Sequence, residues 1–120
     1  MDTLSAALLV NSVADVARRV HSTMEAQTLL CFTLIARHPD ITLTDLAQRL
    51  DITLSSVSRN IARLSDEGRP GRGKGLGMVV RYEDPVDRRI KRVRLNRQGE
   101  KFWKDMSEEL DQAVTRVRGK

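Results

Sequence analysis

The sequence predicts a mainly α fold with a small antiparallel β-wing: a winged helix-turn-helix of about five helices and one two-stranded hairpin. Three observations support this prediction. Two short helical patterns meet at the three-residue break 51–53, and a basic hairpin pattern follows over residues 78–95. The charge is also one-sided, since residues 51–97 carry twelve Lys and Arg against six acids. A basic excess confined to one segment is typical of a surface that meets a polyanion, although a solvated basic face without a partner is the alternative.

The two ends of the chain predict helices that flank this middle segment. At 120 residues the chain is expected to be one domain that folds without a disulfide or a structural metal. Apolar residues recur every three or four positions over residues 2–20, with Asp2 or Thr3 as the N-cap. A last helix is predicted over residues 97–118, with Asn96 as its N-cap.

A second helix is predicted from Ser22 to Arg37. Ser22 and Glu25 have the spacing of a capping box at its start. The helix is apolar nearly all round in its second half, which predicts deep burial. Cys31, the only cysteine, lies in this apolar run, so we expect it to pack as a small hydrophobic residue rather than act as a redox sensor.

The helix-turn-helix is predicted from the pattern of caps and apolar stripes. Thr42 is placed to cap the third helix, and Thr53 is placed to cap the fourth, which is predicted over residues 54–67. The apolar positions of the fourth helix form one narrow stripe of Val57, Ile61 and Leu64.

The opposite face of the fourth helix predicts contact with DNA. Small hydroxyls at a helix N-terminus let phosphate approach the backbone, and arginine and asparagine have the donor geometry for guanine and adenine edges. An ordinary solvated face is the alternative, but such a face would more often carry Glu and Lys. The polar residues concerned are Ser55, Ser56, Ser58, Arg59, Asn60 and Arg63.

A glycine-rich link joins the fourth helix to the hairpin. Gly68 is expected to end the helix, and the segment Gly68–Gly77 holds five of the seven glycines together with Arg72 and Lys74. It is predicted to be either a flexible connector or a basic loop near the phosphate backbone. The absence of a preceding strand and of a following Gly-Lys-Ser/Thr argues against a nucleotide-binding loop.

The hairpin is predicted from strands over residues 78–82 and 90–95, joined by a tip over residues 83–89 that contains a proline. Six basic residues fall between Arg88 and Arg97. So basic a ribbon would repel itself without an anionic partner, and its narrow tip suits a minor groove, where arginine is favoured by the negative potential.

These segments resemble the MarR family of winged-helix transcriptional regulators. The resemblance rests on Leu43–Leu50, on Thr53–Leu64 and above all on Asp87–Gly99. That last run is similar to the family's wing signature of Asp-x-Arg, five residues, Leu-Thr and a glycine early in the final helix. The sequence departs from it in having Asn96 in place of threonine, and in its lengthened, glycine-rich link.

The resemblance implies a homodimer on a pseudo-palindromic DNA operator, with the recognition helix in the major groove and Arg89, oriented by Asp87, in the minor groove. Residues 1–38 and 97–118 would form the dimer around a DNA-binding segment, 42–96. The full set of predicted DNA-binding residues is Thr42, Thr44, Thr53, Ser55, Ser56, Ser58, Arg59, Asn60, Arg63, Arg72, Lys74, Asp87, Arg88, Arg89 and Lys91.

The alternative is a winged helix that binds a protein, such as polymerase or a replication partner, with secondary non-specific DNA binding. An enzyme is not expected, because no nucleophile, paired carboxylates or metal-ligand spacing is present, and neither a cofactor nor a metal is predicted. A small-molecule effector stays open as a partner. The acidic start and the lack of a long apolar stretch predict a cytoplasmic protein without a membrane span.

Overall fold

The computed structural model of the chain describes residues 1–21, 24–66 and 75–119. Within these ranges, five helices and a three-stranded antiparallel sheet, ordered β1-β3-β2, confirm the predicted fold class. The elements in chain order are α1 (Thr3–Val20), α2 (Ala26–Arg37), β1 (Ile41–Thr42), α3 (Leu43–Leu50), α4 (Leu54–Leu64), β2 (Val79–Glu83), β3 (Lys91–Leu95) and α5 (Arg97–Arg118).

The chain divides into two compact units. Unit 1 comprises Met1–Met24 and Lys101–Lys120, and unit 2 comprises Glu25–Glu100. Helix α2 therefore belongs with the helix-turn-helix, whereas the sequence had assigned residues 1–38 to the flank. The physical reason is that α2 packs on α3, α4 and β3 and buries Phe32 among the largest side chains of the core.

Unit 2 buries apolar side chains from each of its elements. The predicted stripe of α4 is confirmed, because Val57, Ile61 and Leu64 are all fully buried. Helix α4 packs on α2, α3 and β2 through this face. The other fully buried apolar residues of the unit include Cys31, Phe32, Ile35, Leu46, Met78 and Val93.

The sheet holds the hairpin against the start of the helix-turn-helix. Strands β2 and β3 pair from Val79↔Leu95 to Glu83↔Lys91. Strand β1 pairs with β3 through Ile41↔Val93 and Thr42↔Arg92. The sequence did not predict β1, because two residues are too few to show an alternating pattern.

Side-chain caps start four of the helices as predicted. The backbone N–H of Ser5 donates to Asp2 Oδ1 at 2.7 Å in α1. Thr42 Oγ1 accepts from Asp45 N at 3.0 Å in α3, and Thr53 Oγ1 accepts from Ser56 N at 3.0 Å in α4. Asn96 Oδ1 accepts from Gly99 N at 2.9 Å in α5. Each of these contacts spans three residues, which is why a local pattern predicts them.

Two predicted helix ends differ from the structure. Helix α2 begins at Ala26 with Glu25 at its N-cap, so the capping box proposed for Ser22 and Glu25 is wrong; Ser22 itself lies outside the described residues. Helix α4 ends at Leu64 because Ser65 adopts an extended backbone at its C-cap, and the predicted stop at Gly68 also lies outside the described residues.

The junction between the sheet and α5 requires a glycine. Met78 O accepts the backbone N–H of Asn96 at 3.0 Å, and Asn96 Nδ2 donates to Gly77 O at 2.8 Å. A Cβ added to Gly99 would lie 2.1 Å from Met78 O. The backbone of α5 therefore reaches the carbonyl of Met78 so closely that any side chain would displace it.

Substitution of Gly99 by alanine should lower the stability of the protein. We expect a loss of about 1–3 kcal/mol, the usual cost of overpacking a filled site, although alanine alone would favour a helix. Chemical denaturation of the variant measures the change. Gln98→Ala, one residue earlier on the exposed surface, is the matched control, and equal stability of the two variants would contradict the role given to Gly99.

Unit 1 consists of α1 and most of α5. Arg19 Nη2 lies 2.9 Å from Glu109 Oε1, an ion pair that joins the two helices. Val16 and Ala17 are buried as the apolar stripe of α1 predicts, but Leu4 and Val10 are 57% and 66% exposed. Among the residues that the structure describes, no helix combines the length and apolar character needed to cross a membrane.

Candidate nucleic-acid interface

The outward face of α4 is organised by its own first turn. Thr53 Oγ1 donates to Ser56 Oγ at 3.1 Å, and Arg59 Nη2 donates to the same hydroxyl at 3.0 Å. Ser55 and Arg59 are exposed, and Ser58 is half-buried. The hydroxyl of Ser56 thus orients the guanidinium of Arg59 along the helix surface and leaves its other nitrogens open to a ligand.

Asn60 does not belong to this outward face, and its prediction as a base-contacting residue is corrected. The residue is only 1% exposed. Its Oδ1 accepts from Thr28 Oγ1 at 2.7 Å, and its Nδ2 donates to Gln27 Oε1 at 2.8 Å and to Ser56 O at 2.9 Å. Both amide hydrogens and the carbonyl oxygen of Asn60 are therefore engaged inside the protein.

Arg63 is also engaged within the protein. Its Nη1 lies 2.8 Å from Glu25 Oε2, and its side chain is about one-third exposed. Helix α4 is thus joined to the start of α2 by both Asn60 and Arg63. The structure places Arg63 at the edge of the outward face, beside α2 rather than beside the wing.

The tip of the wing is built on Asp84. Its Oδ1 accepts the backbone N–H groups of Val86 at 2.8 Å and Asp87 at 3.1 Å, and its Oδ2 accepts from Arg92 Nε at 2.6 Å. One carboxylate therefore folds the turn and ties it to β3. The sequence reasoning missed Asp84, although an aspartate before proline at the start of a turn is a recognisable signal.

The next carboxylate, Asp87, holds Arg89 side-on. Asp87 Oδ1 accepts from Arg89 Nε at 3.0 Å and from its backbone N at 3.1 Å, and Oδ2 accepts from Arg89 Nη2 at 2.9 Å. The Arg89 side chain is nevertheless 90% exposed. This geometry is the orientation that the resemblance implied, and it leaves Nη1 of the guanidinium facing away from the pair.

Both carboxylates stay ionised over the neutral range. The hydrogen bond from Arg92 is the largest cause that holds the pKa of Asp84 below its usual value, and the hydrogen bond from Arg89 does the same for the pKa of Asp87. Because the pKa is lowered in the folded protein, these contacts stabilise it above the unfolded pKa. They are lost only as the pH falls through the depressed folded pKa.

The base of the wing is tied to the turn before β1. Arg92 Nη1 donates to Asp40 O at 2.9 Å, and Tyr82 donates its hydroxyl to the Asp40 carboxylate. That hydrogen bond is the main reason that the pKa of Tyr82 is raised. The guanidinium of Arg94 lies 5.1 Å from the centroid of the Tyr82 ring. The wing therefore has a fixed direction relative to the helix-turn-helix.

A groove of about 450 Å³ runs between the start of α3, α4 and the wing. Cations, hydroxyls and apolar side chains all line it, and none of its described lining residues is acidic. Arg81 is a lining residue that the sequence reasoning missed, although the alternation of β2 places it on the same face as buried Val79. The full lining is Thr42, Leu43, Thr44, Leu54, Ser58, Arg81, Arg89, Ile90 and Lys91.

The structure brings part of the predicted site together. Lys91 is held by Arg88 O at 3.1 Å and by Glu83 at 3.4 Å, while the side chain of Arg88 is exposed. Arg72 and Lys74 lie outside the described residues. Thr42, Thr44, Ser58, Arg89 and Lys91 share the groove, whereas Thr53 and Ser56 serve α4 itself and Asn60 faces α2.

Cys31 is a core residue, as predicted. It is fully buried, and burial raises the pKa of its thiol to about 11. The thiol is therefore neutral at physiological pH, which disfavours reaction with oxidants. In the part of the chain that the structure describes, no group of three His, Cys, Asp or Glu side chains could hold a metal ion.

The native protein should react very slowly with a thiol reagent such as 5,5′-dithiobis(2-nitrobenzoate) at pH 8, because both burial and the raised pKa suppress the thiolate. The same protein in denaturant should react at the rate of a free cysteine. Ser107→Cys, at an exposed position of α5, supplies an internal control in the native protein. Equal native rates at the two positions would contradict the burial of Cys31.

Comparisons with known proteins support the resemblance to the MarR family. A family model described as the MarR family matches residues 22–68, which contain α2, α3 and α4. No curated protein matches the chain in sequence. The similarity to solved structures is wider, and at identities near 20% it establishes a shared fold.

Three solved structures illustrate that fold. RV1404 from Mycobacterium tuberculosis has a TM-score of 0.78 at 20% identity, over 98% of this chain and 74% of that one. NadR in complex with 4-hydroxyphenylacetate has a TM-score of 0.69 at 22% identity, over 92% of this chain and 71% of that one. FabT from Streptococcus pneumoniae, in complex with DNA, has a TM-score of 0.66 at 18% identity, over 81% of this chain. This chain spans 62% of the FabT chain, less than two thirds of its length.

The family match covers the helix-turn-helix, and the wing that completes it has the Asp87–Arg89 pair and the Gly99 junction. Over residues 22–68 the chain matches the MarR family model, and over nearly its whole length it shares the winged-helix fold of these structures.

Proposed function

We propose that this chain binds double-stranded DNA in a sequence-specific manner and regulates transcription as a homodimer. In this proposal α4 enters the major groove with Ser55, Ser58 and Arg59, and Arg89 enters the adjacent minor groove. The observation that carries it is the wing tip, where Arg89 is 90% exposed and yet held by two nitrogens on Asp87. An exposed ion pair of this kind adds little to stability, so its value lies in aiming the arginine at a ligand.

The charge of the wing supports the same proposal. Lys91, Arg89 and Arg92 each pair with a wing carboxylate. Arg81 and Arg88 are exposed and make no ion pair with a carboxylate of a described residue. The acids therefore fix the shape of the ribbon and leave a net positive surface, which suits a phosphate backbone.

The homodimer is supported by unit 1. Leu4 and Val10 of α1 leave large apolar side chains exposed in a unit of only two helices. A second copy of the same unit could cover these two side chains in a dimer. A two-fold dimer would then place two recognition helices about 34–36 Å apart, the spacing of successive major grooves on one face of DNA.

Selection of binding sites from random duplex DNA should return one preferred sequence with two-fold symmetry. Sequence preference arises from base-edge contacts of α4, and symmetry from the dimer. Light scattering of the purified protein should give the mass of two chains. The logarithm of the affinity should fall with the logarithm of salt concentration by about 0.9 per phosphate contact.

The outcomes separate the parts of this proposal. An enriched but asymmetric half-site with a monomeric mass would remove the homodimer and retain DNA binding. Enrichment of no sequence would remove sequence-specific recognition. A protein partner that stays bound in high salt after nuclease treatment would favour the interaction-module alternative instead.

Arg89→Ala should weaken binding to the selected duplex by about 1–3 kcal/mol, because a positioned arginine is lost from the groove. Arg89→Lys should recover only part of the loss, since an ammonium retains the charge but cannot form the side-on fork with Asp87. Arg18→Ala, at a 71% exposed arginine in unit 1, is the control. Fluorescence anisotropy measures all three variants, and equal losses at residues 18 and 89 would contradict a specific role for the wing.

A further inference from the structure

The buried hydrogen bonds between α2 and α4 form a second polar system behind the outward face. Thr28 and Asn60 are the buried polar residues of these two helices in the described part of the chain. Thr28 lies in the first turn of α2, and Asn60 lies in the middle of α4, 32 positions later. No buried side-chain nitrogen or oxygen of the described residues lacks a hydrogen-bond partner.

We infer that Asn60 is a positioning residue that fixes the rotation and register of the recognition helix through Thr28 and Gln27, and so determines sequence specificity. This inference rests on the proposed function. Asn60 itself reaches no ligand, because it is 1% exposed and its amide is bound to Thr28, Gln27 and Ser56 O. It acts through the direction in which α4 presents Ser55, Ser58 and Arg59.

Apolar packing alone leaves that direction weakly defined. Val57, Ile61 and Leu64 form a stripe of similar aliphatic side chains, and burial of such surface is non-directional. A small rotation or sliding shift of α4 would exchange one aliphatic contact for another. The same shift would leave the amide of Asn60 and the hydroxyl of Thr28 buried without partners, which is costly. The polar pair therefore opposes rotation and sliding of α4 in a way that the aliphatic contacts do not.

Asn60 is next to Arg59 in the helix, so any movement of Asn60 also moves the outward face of α4. Adjacent residues of an α-helix are separated by about 100° of rotation, so a rotation that freed Asn60 would also turn Arg59. The same side of α4 is held at a second point, where Arg63 Nη1 lies 2.8 Å from Glu25 Oε2 at the start of α2. Two contacts about one turn apart define both the rotation and the axial position of α4.

The test uses a double variant, Thr28→Val with Asn60→Leu, in the full chain. It replaces both polar partners by apolar groups of similar shape, which can be nearly neutral for stability. The probes are the duplex selected by the wild-type protein and a scrambled duplex of equal composition. We expect discrimination between the two duplexes to fall by about tenfold, the order of magnitude of one misplaced base contact. The melting temperature and the salt slope on the scrambled duplex should stay close to wild type.

Two further variants keep the test decisive. Thr28→Ser retains the hydroxyl and should retain wild-type discrimination. Gln27→Ala removes one partner of the Asn60 amide at an exposed position, so it should fold even if the double variant does not, and it should lower discrimination in the same direction. Arg59→Ala, which removes a proposed base contact, is the positive control for lost discrimination.

Each outcome decides the inference. Folded variants that discriminate as well as wild type would overturn it and leave the proposed DNA binding intact. The discrimination between duplexes could instead fall only as far as the melting temperature falls, with an equal loss of affinity for the scrambled duplex. That result would make Asn60 a purely structural residue and would also overturn the inference. A wild-type protein that does not discriminate between duplexes would overturn the proposed function and this inference together.

Discussion

The fold of unit 2 depends on the burial of one narrow face of α4. An isolated helix of 11 residues is marginal in water, so the helicity of α4 comes from its packing. Val57, Ile61 and Leu64 are fully buried, and each contributes about 1.5–3 kcal/mol relative to an exposed side chain. That burial keeps α4 against α2, α3 and β2, and the face that carries Ser55 and Arg59 stays exposed. The same interior contains the thiol of Cys31, which burial keeps neutral. It also contains Thr28 and Asn60, which form a hydrogen bond with each other because unpaired polar groups are costly to bury.

The wing is held by a different kind of interaction. A short ribbon of this size is marginal by itself, and only Val79, Val93 and Leu95 of its strands are buried. Hydrogen bonds to side-chain carboxylates hold the remainder of the wing in place. Asp84 folds the tip, and Arg92 connects the tip to the turn at Asp40. These contacts of Asp84 and Arg92 are partly buried and directional, so they determine where the tip points. The ribbon was expected to repel itself, and its own acids relieve much of that repulsion.

The sequence predicted what local rules determine and missed what tertiary contacts determine. The caps at Thr42, Thr53 and Asn96 and the stripe of α4 depend on residues three or four apart, and the structure confirms them. The role of Asn60 could not be predicted in this way, because its partner Thr28 lies 32 positions away and a polar residue at the border of a stripe fits either face. Strand β1 exists only through its pairing with β3. Arg81, by contrast, could have been found, since the alternation of β2 places it beside the helices.

The mixed character of the groove between α3, α4 and the wing bears on what it could accept. Arg81, Arg89 and Lys91 supply charge, while Leu43, Leu54 and Ile90 supply apolar surface. A site for a free inorganic anion gains nothing from exposed leucine and isoleucine beside its cations. A nucleic-acid backbone presents both chemistries in alternation, since apolar deoxyribose faces follow anionic phosphates. On the proposed complex, the exposed Leu54 and Ile90 would therefore contact sugars or thymine methyl groups while the cations contact phosphate oxygens. In that complex the exposed Leu54, directly after the cap of α4, would have an apolar partner, whereas a solvated helix would gain from a polar residue at this position.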